Sequence, residues 1–375
     1  MLTADGCRSR QRRFLHALGE IGIDAALISH PRDIYYFTGL SVENKVFDFP
    51  SLLFLGCGRT SWLGTWDADG DAIVAERDTY PRAVLSTMNP DNQRRLARLA
   101  QFAGRKFAHG LGRIGFQAES GAKLTVDSFL AGVGTGTLVS IDPILERQQL
   151  RKDPDEVACI ERCVSAASAG YRRAVEVIAP GVNELTVLAE CHRAALLSAG
   201  KPIYFGGDFR SGERGGPARN RLIQVGEIYI VDAQADLDGY WCDLSRAYIV
   251  GDSPTDLQMS VHDHLARILR DVPAMVKPGR SCMEFWHELD ARIRAHPRLA
   301  DIGLLHHGGH GIGLRGHEGP DINRDRGGVF EVGNVFTVEP GAYLPELRVG
   351  IRLEDNFVMT SDGVRVLSAL ELTLV

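Results

Sequence analysis

Two stretches restrict what this chain can fold into more than any others: "EIYIVDAQADLDGYWCDLSRAYIV" (227–250) and "NVFTVEPGAYLPELRVGIRLEDNFVM" (334–359). Each reads as a β-hairpin, with strand-forming residues flanking a turn, and each sets two carboxylates among apolar neighbours. In the first, the turn falls at Leu237-Asp238 or at Asp238-Gly239. The former register puts Asp232 and Asp243 directly opposite, with Cβ atoms about 5 Å apart; the latter makes them diagonal. Side chains alternate with period two, so both registers leave the pair on one face. In the second hairpin Glu339 and Glu354 share a face if the longer loop between them introduces no bulge. A single pair of facing carboxylates reads as solvated edge residues, because like charges across a sheet repel. Two pairs, each embedded in apolar strands, need a cation or a proton once buried.

The counterpart is "HHGGHGIGLRGHEGP" (306–320), four histidines and six glycines in fifteen residues. Its GxGxxG, at Gly311, Gly313 and Gly316, is a poor dinucleotide loop, since Pro320 and the polar "DINRDRGG" follow where a helix is required. The glycines better serve close approach of the backbone to a ligand. Four carboxylates and one imidazole nearly neutralise two divalent ions. An oxygen-rich set with one nitrogen suits Mn²⁺ first, with Co²⁺, Zn²⁺ or Fe²⁺ as alternatives. Two such ions about 3.5–4 Å apart can hold a hydroxide and polarise a carbonyl. His306 and His307 are adjacent and face opposite ways on an extended chain, so one of them is expected to be structural. "HEL" at 287–289 lacks the second histidine of a zinc-binding helix and carries no metal.

Ahead of the hairpins the same pattern occurs twice: helix, Pro-Gly break, helix. The first copy spans about 155–177 and 183–200 around Pro180-Gly181. The second runs from Ser253-Pro254-Thr255 to about 272, then resumes as "SCMEFWHELDARIRAH" after Pro278-Gly279. This weak internal repeat predicts a C-terminal domain of two related halves, residues 150–375. Residues 1–145 alternate differently. A helix at 8–22 is followed by a strand at "AALIS" (25–29), the aromatic "IYYFTGL" and a strand-like "SLLFLGC" (51–57). A helix over 89–104, "RIGFQAES", a helical "VDSFLAGV" and a strand "TLVSID" complete it. That order predicts a small α/β domain on a mixed sheet, so the chain as a whole is α/β (α+β). A polar link, "ILERQQLRKDP", joins the two.

The net charge of −6 over 375 residues excludes a general nucleic-acid binder. Arg8, Arg10, Arg12 and Arg13 are expected on a solvated helix face. No apolar run has membrane-spanning length and the N-terminus has no secretory h-region, so the expectation is neither membrane nor export. Seven scattered cysteines, an odd number, fit reduced thiols in the cytoplasm. Cys159, Cys163 and Cys242 are assigned to packing.

"VDAQADLDGYWCD", "GGHGIGLRGHEGP", "FTVEPGAY" and "GIRLED" resemble the successive signatures of the pita-bread metallopeptidases, in the Xaa-Pro dipeptidase (prolidase), aminopeptidase P and creatinase branch. "FLHALGEIGIDAALISHPRDIYYFTGL" resembles that branch's N-terminal domain and "LRKDPDEVACIERC" its inter-domain junction. The resemblance spans nearly the whole chain. It implies metal ligands at Asp232, Asp243, His310, Glu339 and Glu354, with Asp243 and Glu354 bridging. Asp232 would then serve one ion, and His310 with Glu339 the other. It further implies Glu339 as general base, His317 as the histidine that meets the substrate, His306 as a second active-site histidine, and Arg352 behind the ligands. A homodimer and a small peptide substrate are also implied.

One feature departs from the family. The loop "GDFRSGERGGPARNRLIQVGE" has no histidine where the peptidases usually carry one, and the position falls on Ala218 or Arg219. Arg210, Arg214 and Arg219 would there either bind a substrate carboxylate or form a solvated arginine-rich loop. Three functions follow: a dinuclear-metal exo- or dipeptidase, a non-peptide amidohydrolase on the same fold, and a non-catalytic binding protein. With all five ligand positions intact, the metal-free creatinase reaction and the binding protein are disfavoured.

Overall fold

The computed structural model describes residues 1–43, 49–58, 60–81, 91–251 and 253–374. They form two compact units, Met1–Gln149 and Leu150–Val375.

The first unit runs α1 (Ala4–Glu20), β1 (Ala25–Ile28), α2 (Pro31–Thr38), β2 (Leu52–Gly56), β3 (Ser61–Trp66), β4 (Glu76–Tyr80), α3 (Asn92–Phe107), β5 (Arg113–Phe116), α4 (Lys123–Val133), β6 (Thr137–Ser140) and α5 (Asp142–Gln149). Its strands make one mixed sheet in the order β4-β3-β2-β1-β5-β6. The α/β expectation holds, though β3 and β4 were not foreseen and other local features differ. The aromatic "IYYFTGL" is helical: Pro31 sits in the first turn and Gly39, at φ 71°, ends it. The polar link is α5 for most of its length. Arg10 is fully buried where a solvated face was expected. Its Nε donates to Tyr36 O at 2.8 Å and its guanidinium lies 5.0 Å from the Tyr36 ring centroid. The first two residues of the helix expected over 89–104 lie outside the described residues.

The second unit opens with α6 (Pro154–Val177) and α7 (Glu184–Ala199), followed by β7 (Tyr204–Ser211), β8 (Ile228–Leu237) and β9 (Tyr240–Ile249). Capping chemistry sets the helix ends. Asp153 and Glu156 form a capping box at the start of α6, and Asn183 accepts the Leu185 N–H at 3.0 Å. The second half repeats the plan with α8 (Asp256–Met275) and α9 (Cys282–Arg294). Then come β10 (Gly309–Gly311), β11 (Glu318–Ile322), β12 (Val335–Val338), β13 (Gly341–Leu344), β14 (Val349–Arg352), β15 (Asp355–Thr360) and β16 (Gly363–Val366). Three sheets result: β7-β8-β9, β11-β10-β12-β15-β16, and the ribbon β13-β14.

Helices cover one face of β7–β9. Tyr171 of α6 takes the Ala233 N–H at 2.9 Å, and Cys163 donates to Ala235 O at 3.3 Å. Cys242, also buried, lies on this helix side of β9. By alternation Asp232, Gln234 and Asp243 occupy the other face. In the second half α8 and α9 bury Leu265, Leu269, Phe285 and Leu289 with Phe336 and Phe357 of the five-stranded sheet. The carboxylate-bearing segments lie where the two halves meet. Ser245 N–H reaches Glu354 O at 3.3 Å, and Glu354 N–H returns to Ser245 O at 3.0 Å.

Candidate metal centre

The first hairpin adopts the diagonal register. Asp238 and Gly239 both have positive φ, 56° and 79°, as a type I′ turn requires. Gln234 therefore pairs with Asp243, and Asp232 with Ser245. In the second hairpin Val338 pairs with Asp355 and Gly341 with Arg352. The two ladders keep a single register across the interruption between them, which sets Glu339 opposite Glu354. No bulge intervenes; a 3₁₀ turn at Pro345–Leu347 and Arg348 at φ 57° close the loop.

His310 enters from β10, held between β11 and β12 with Gly309 at φ 142° beside it. A side chain at Gly309 would collide with Thr337 O, so the close approach demands glycine. His310 Nδ1 lies 2.9 Å from Gly311 O and donates to it, which leaves the Nε2 lone pair facing the carboxylates. Nε2 is 3.8 Å from Asp243 Oδ2 and 3.9 Å from Glu354 Oε1.

Three groups of potential ligand atoms result, each within 4.8 Å: Asp232–Asp243–Glu354, His310–Glu339–Glu354, and Asp243–His310–His317. Glu354, Asp243 and His310 each belong to two of them, and of these Glu354 and Asp243 are carboxylates with two oxygens to share. All five candidate ligands thus converge, and Asp243, His310, Glu339 and Glu354 are all less than a tenth exposed.

Burial dominates the electrostatics of the cluster. Burial pushes Asp243 and Glu354 well above the ordinary carboxylate range; Asp232 raises Asp243 further, and Asp243, Glu339 and Asp232 raise Glu354. Burial takes Asp232 up to about 6 in spite of Arg352. Burial and the neighbouring His317 lower His310 to about 4, so it is a neutral imidazole suited to ligation. Asp243 Oδ1 and Glu354 Oε1 are buried with no hydrogen-bond partner among the described residues. Orphaned carboxylate oxygens carry a heavy desolvation cost, and a pair of divalent ions would satisfy them. The residues present fit such a pair.

These raised carboxylates have a consequence for stability. Their folded pKa values exceed the unfolded ones, so without a cation they favour the folded state at low pH. That contribution is lost as pH rises from about 4 through about 6 for Asp232, and higher for Asp243 and Glu354. A chelator is expected to lower the melting temperature more at about pH 8 than at about pH 5. An equal or larger drop at the acidic pH, measured by thermal melts, would contradict this account.

A supporting network surrounds the cluster. Arg352 Nε reaches Asp232 Oδ2 and its Nη2 reaches Asp208 Oδ2, both at 2.5 Å. It therefore bridges two carboxylates rather than gripping one in a paired fork. Its Nη1 lies 3.3 Å from the Tyr343 hydroxyl, which is 2.9 Å from His306 Nε2. Glu339 lies 3.0 Å from His307 Nδ1 and 3.7 Å from His306 Nδ1. Burial alone would raise Glu339, but these histidines outweigh it and hold the group below its usual value, ionised. Both histidines reach the cluster because the chain bends at 306 instead of running extended. His317 stacks on His310 with ring centroids 3.8 Å apart. Next along the chain, Glu318 pairs with buried Lys152 and also accepts the Arg315 N–H at 3.2 Å.

Arg219 is engaged elsewhere. Its guanidinium binds Glu184 through Nε at 3.0 Å and Nη2 at 2.6 Å, and it also pairs with Glu213. Arg210 donates to Pro217 O at 2.9 Å. Sequence reasoning missed Asp208, Gln234 and Tyr343, and left open which of His306 and His307 is structural. Asp208 was hidden because "YFGGDFRS" reads as a polar, glycine-rich loop, yet it pairs along its whole length with β8 as an edge strand.

Two helix–hairpin halves closing on a buried carboxylate and imidazole cluster define a pita-bread metallopeptidase. The chain belongs to metallopeptidase family M24, which matches residues 158–361, and residues 10–150 match the creatinase/prolidase N-terminal domain. It is 27% identical over 363 residues to the uncharacterized peptidase YqhT of Bacillus subtilis, covering 93% of this chain and 95% of that one. It is 26% identical over 375 residues to the Xaa-Pro dipeptidase of Pyrococcus furiosus, covering 97% and 99%. The structure of an Xaa-Pro dipeptidase from Bacillus anthracis superposes with a TM-score of 0.80 at 22% identity, covering 98% and 99%. Among the described residues no helix is long and apolar enough to cross a membrane.

Proposed function

We propose that this chain is a dinuclear-metal exopeptidase that hydrolyses short peptides at an Xaa-Pro bond, as a dipeptidase or an aminopeptidase. Residues 150–375 would carry the chemistry and residues 1–145 form the N-terminal domain. The observation that carries the reading is the sharing of Glu354 and Asp243 between ligand groups, which suits two adjacent ions. Asp232, Asp243 and Glu354 would hold one ion, and His310, Glu339, Glu354 and Asp243 the other, with Mn²⁺ the first candidate and Co²⁺, Zn²⁺ or Fe²⁺ also compatible. When bound, the ions supply Lewis acidity and lower the pKa of an attacking water.

The remaining work falls to the chain. Glu339, kept ionised by His307 and His306, accepts the proton given up by the attacking water. His317 donates to the scissile carbonyl oxygen as negative charge gathers there. Arg352, pinned by Asp208, holds Asp232 in place. Relatives named Xaa-Pro dipeptidase support the peptide reading. The seven cysteines, none of them in a disulfide, support a cytoplasmic setting, and family likeness supports a homodimer.

A non-peptide amidohydrolase remains the second reading. It is favoured by the loop that lacks a histidine and whose Arg219 is already held by Glu184. The deciding experiment is turnover by the metal-reconstituted protein on Xaa-Pro dipeptides, longer Xaa-Pro peptides, and a panel of N-acyl and cyclic amides. Xaa-Pro substrates are expected to dominate. Preference for a non-peptide amide would overturn the peptidase assignment, and inactivity on every substrate would overturn both.

A further inference from the structure

Gln234 shares its sheet face with Asp232 and Asp243 and stands directly across the ladder from Asp243. The reaction outlined above gives it no task. Its side-chain Nε2 donates to Asp243 Oδ2 at 2.9 Å and lies 3.4 Å from His317 Nδ1. Asp243 settles which way this amide points. With a cation bound Asp243 is ionised and offers only acceptors, so an amide oxygen turned toward it would set acceptor against acceptor and the NH₂ must face it. An NH₂ group only donates, and its second proton is the one within reach of His317. Nδ1 of His317 must then accept, and a neutral imidazole whose Nδ1 accepts carries its proton on Nε2.

The contrast with His310 is instructive. There a carbonyl oxygen takes the Nδ1 proton and frees Nε2 as a lone-pair donor to a cation. At His317 a donor amide imposes the opposite tautomer. The segment leading to His317 is tied to the first hairpin. Trp241 N–H holds Gly313 O at 2.8 Å. A Cβ at Gly316 would lie 3.4 Å from the Trp241 ring and 3.5 Å from Gln234 Oε1. The ring itself rests on His310. What remains to be set is the position of its proton.

We propose that Gln234 is a positioning residue that, anchored on Asp243, holds His317 as the Nε2–H tautomer, so that the ring meets the substrate as a hydrogen-bond donor. The catalytic consequence rests on the functional reading of His317 given above; the tautomer rests only on Asp243 being ionised by a bound cation.

The test uses the full chain with ¹⁵N-labelled histidine, loaded with diamagnetic Zn²⁺, at about pH 8, where imidazole is neutral. Two-bond ¹H–¹⁵N spectra distinguish the tautomers, and His317→Ala assigns the signal. Wild type is expected to show the Nε2–H form at His317. Gln234→Met should yield a mixture of tautomers with zinc content unchanged. Its kcat should fall on the order of tenfold or more while KM moves little, since a donor is misplaced and no substrate contact removed. Gln234→Glu offers an acceptor in place of a donor and should turn His317 to the Nδ1–H form, with a deeper loss of kcat than Gln234→Met. A wild-type spectrum showing the Nδ1–H form, or Gln234→Met with native tautomer and native kcat, would overturn the proposal. Absence of hydrolysis in wild type would count against the functional reading alone, and the spectra would still decide the tautomer.

Discussion

Glu354→Ala is expected to abolish both cation retention and hydrolysis, and Asp243→Ala to do the same. Glu354 belongs to the ligand groups of both proposed ions, and Asp243 belongs to one of them and lies 3.8 Å from His310 Nε2 of the other, so removing either would strip an oxygen donor that both ions would share. Ordinary destabilisation is a poor alternative explanation. In the cation-free protein Glu354 is buried beside Asp243 and Asp232, raised by burial and by their charge, with one oxygen lacking a hydrogen-bond partner. Removing it relieves repulsion, so in chelator the variant should melt no lower than wild type. Elemental analysis after dialysis, turnover and a melt in chelator together test this. Full activity in either variant would remove the basis for the shared-ligand assignment.

Glu339→Gln should lower turnover by about 10²- to 10⁴-fold, the range over which a positioned base contributes. The substitution keeps the shape of the side chain and removes its capacity to take a proton. The Asp232–Asp243–Glu354 group does not include Glu339, so the ion held there should remain. The histidines distinguish Glu339 from its fellow carboxylates: it alone is held below its usual pKa, while Asp232, Asp243 and Glu354 are raised. Near wild-type turnover in Glu339→Gln, at saturating metal, would move the proton-accepting role to His306 or His307.

The placement of the four carboxylates was largely legible in the sequence because it depends on two strong local rules. Period-two alternation put Asp232 with Asp243, and Glu339 with Glu354, on common faces. The Asp238-Gly239 dipeptide, able to take positive φ at both positions, selects the diagonal register. Capping residues such as Asn183 and Thr255 likewise announced their helices.

Features that depend on distant partners were not legible. β7 has Gly206, Gly207, Asp208 and Arg210 where a strand ought to be apolar. It becomes a strand because β8 offers a complete ladder, and only then does Asp208 meet Arg352. The burial of Arg10 was hidden for a similar reason: its carbonyl acceptor is 26 residues away in α2. The position of Arg219 shows the converse. Its charge suggested a ligand for a carboxylate, and the carboxylate it found belongs to Glu184, buried in the protein's own chain.

The two hairpins bring two acids each to a seam held by main-chain bonds between Ser245 and Glu354. The second half supplies the histidines that hold Glu339 ionised and the Arg352 that pairs with Asp232, yet Asp243 and Glu354 stay raised. Mutational drift in one hairpin is therefore answerable only from the other, and descendants of such a chain should inherit the four acids together or lose them together.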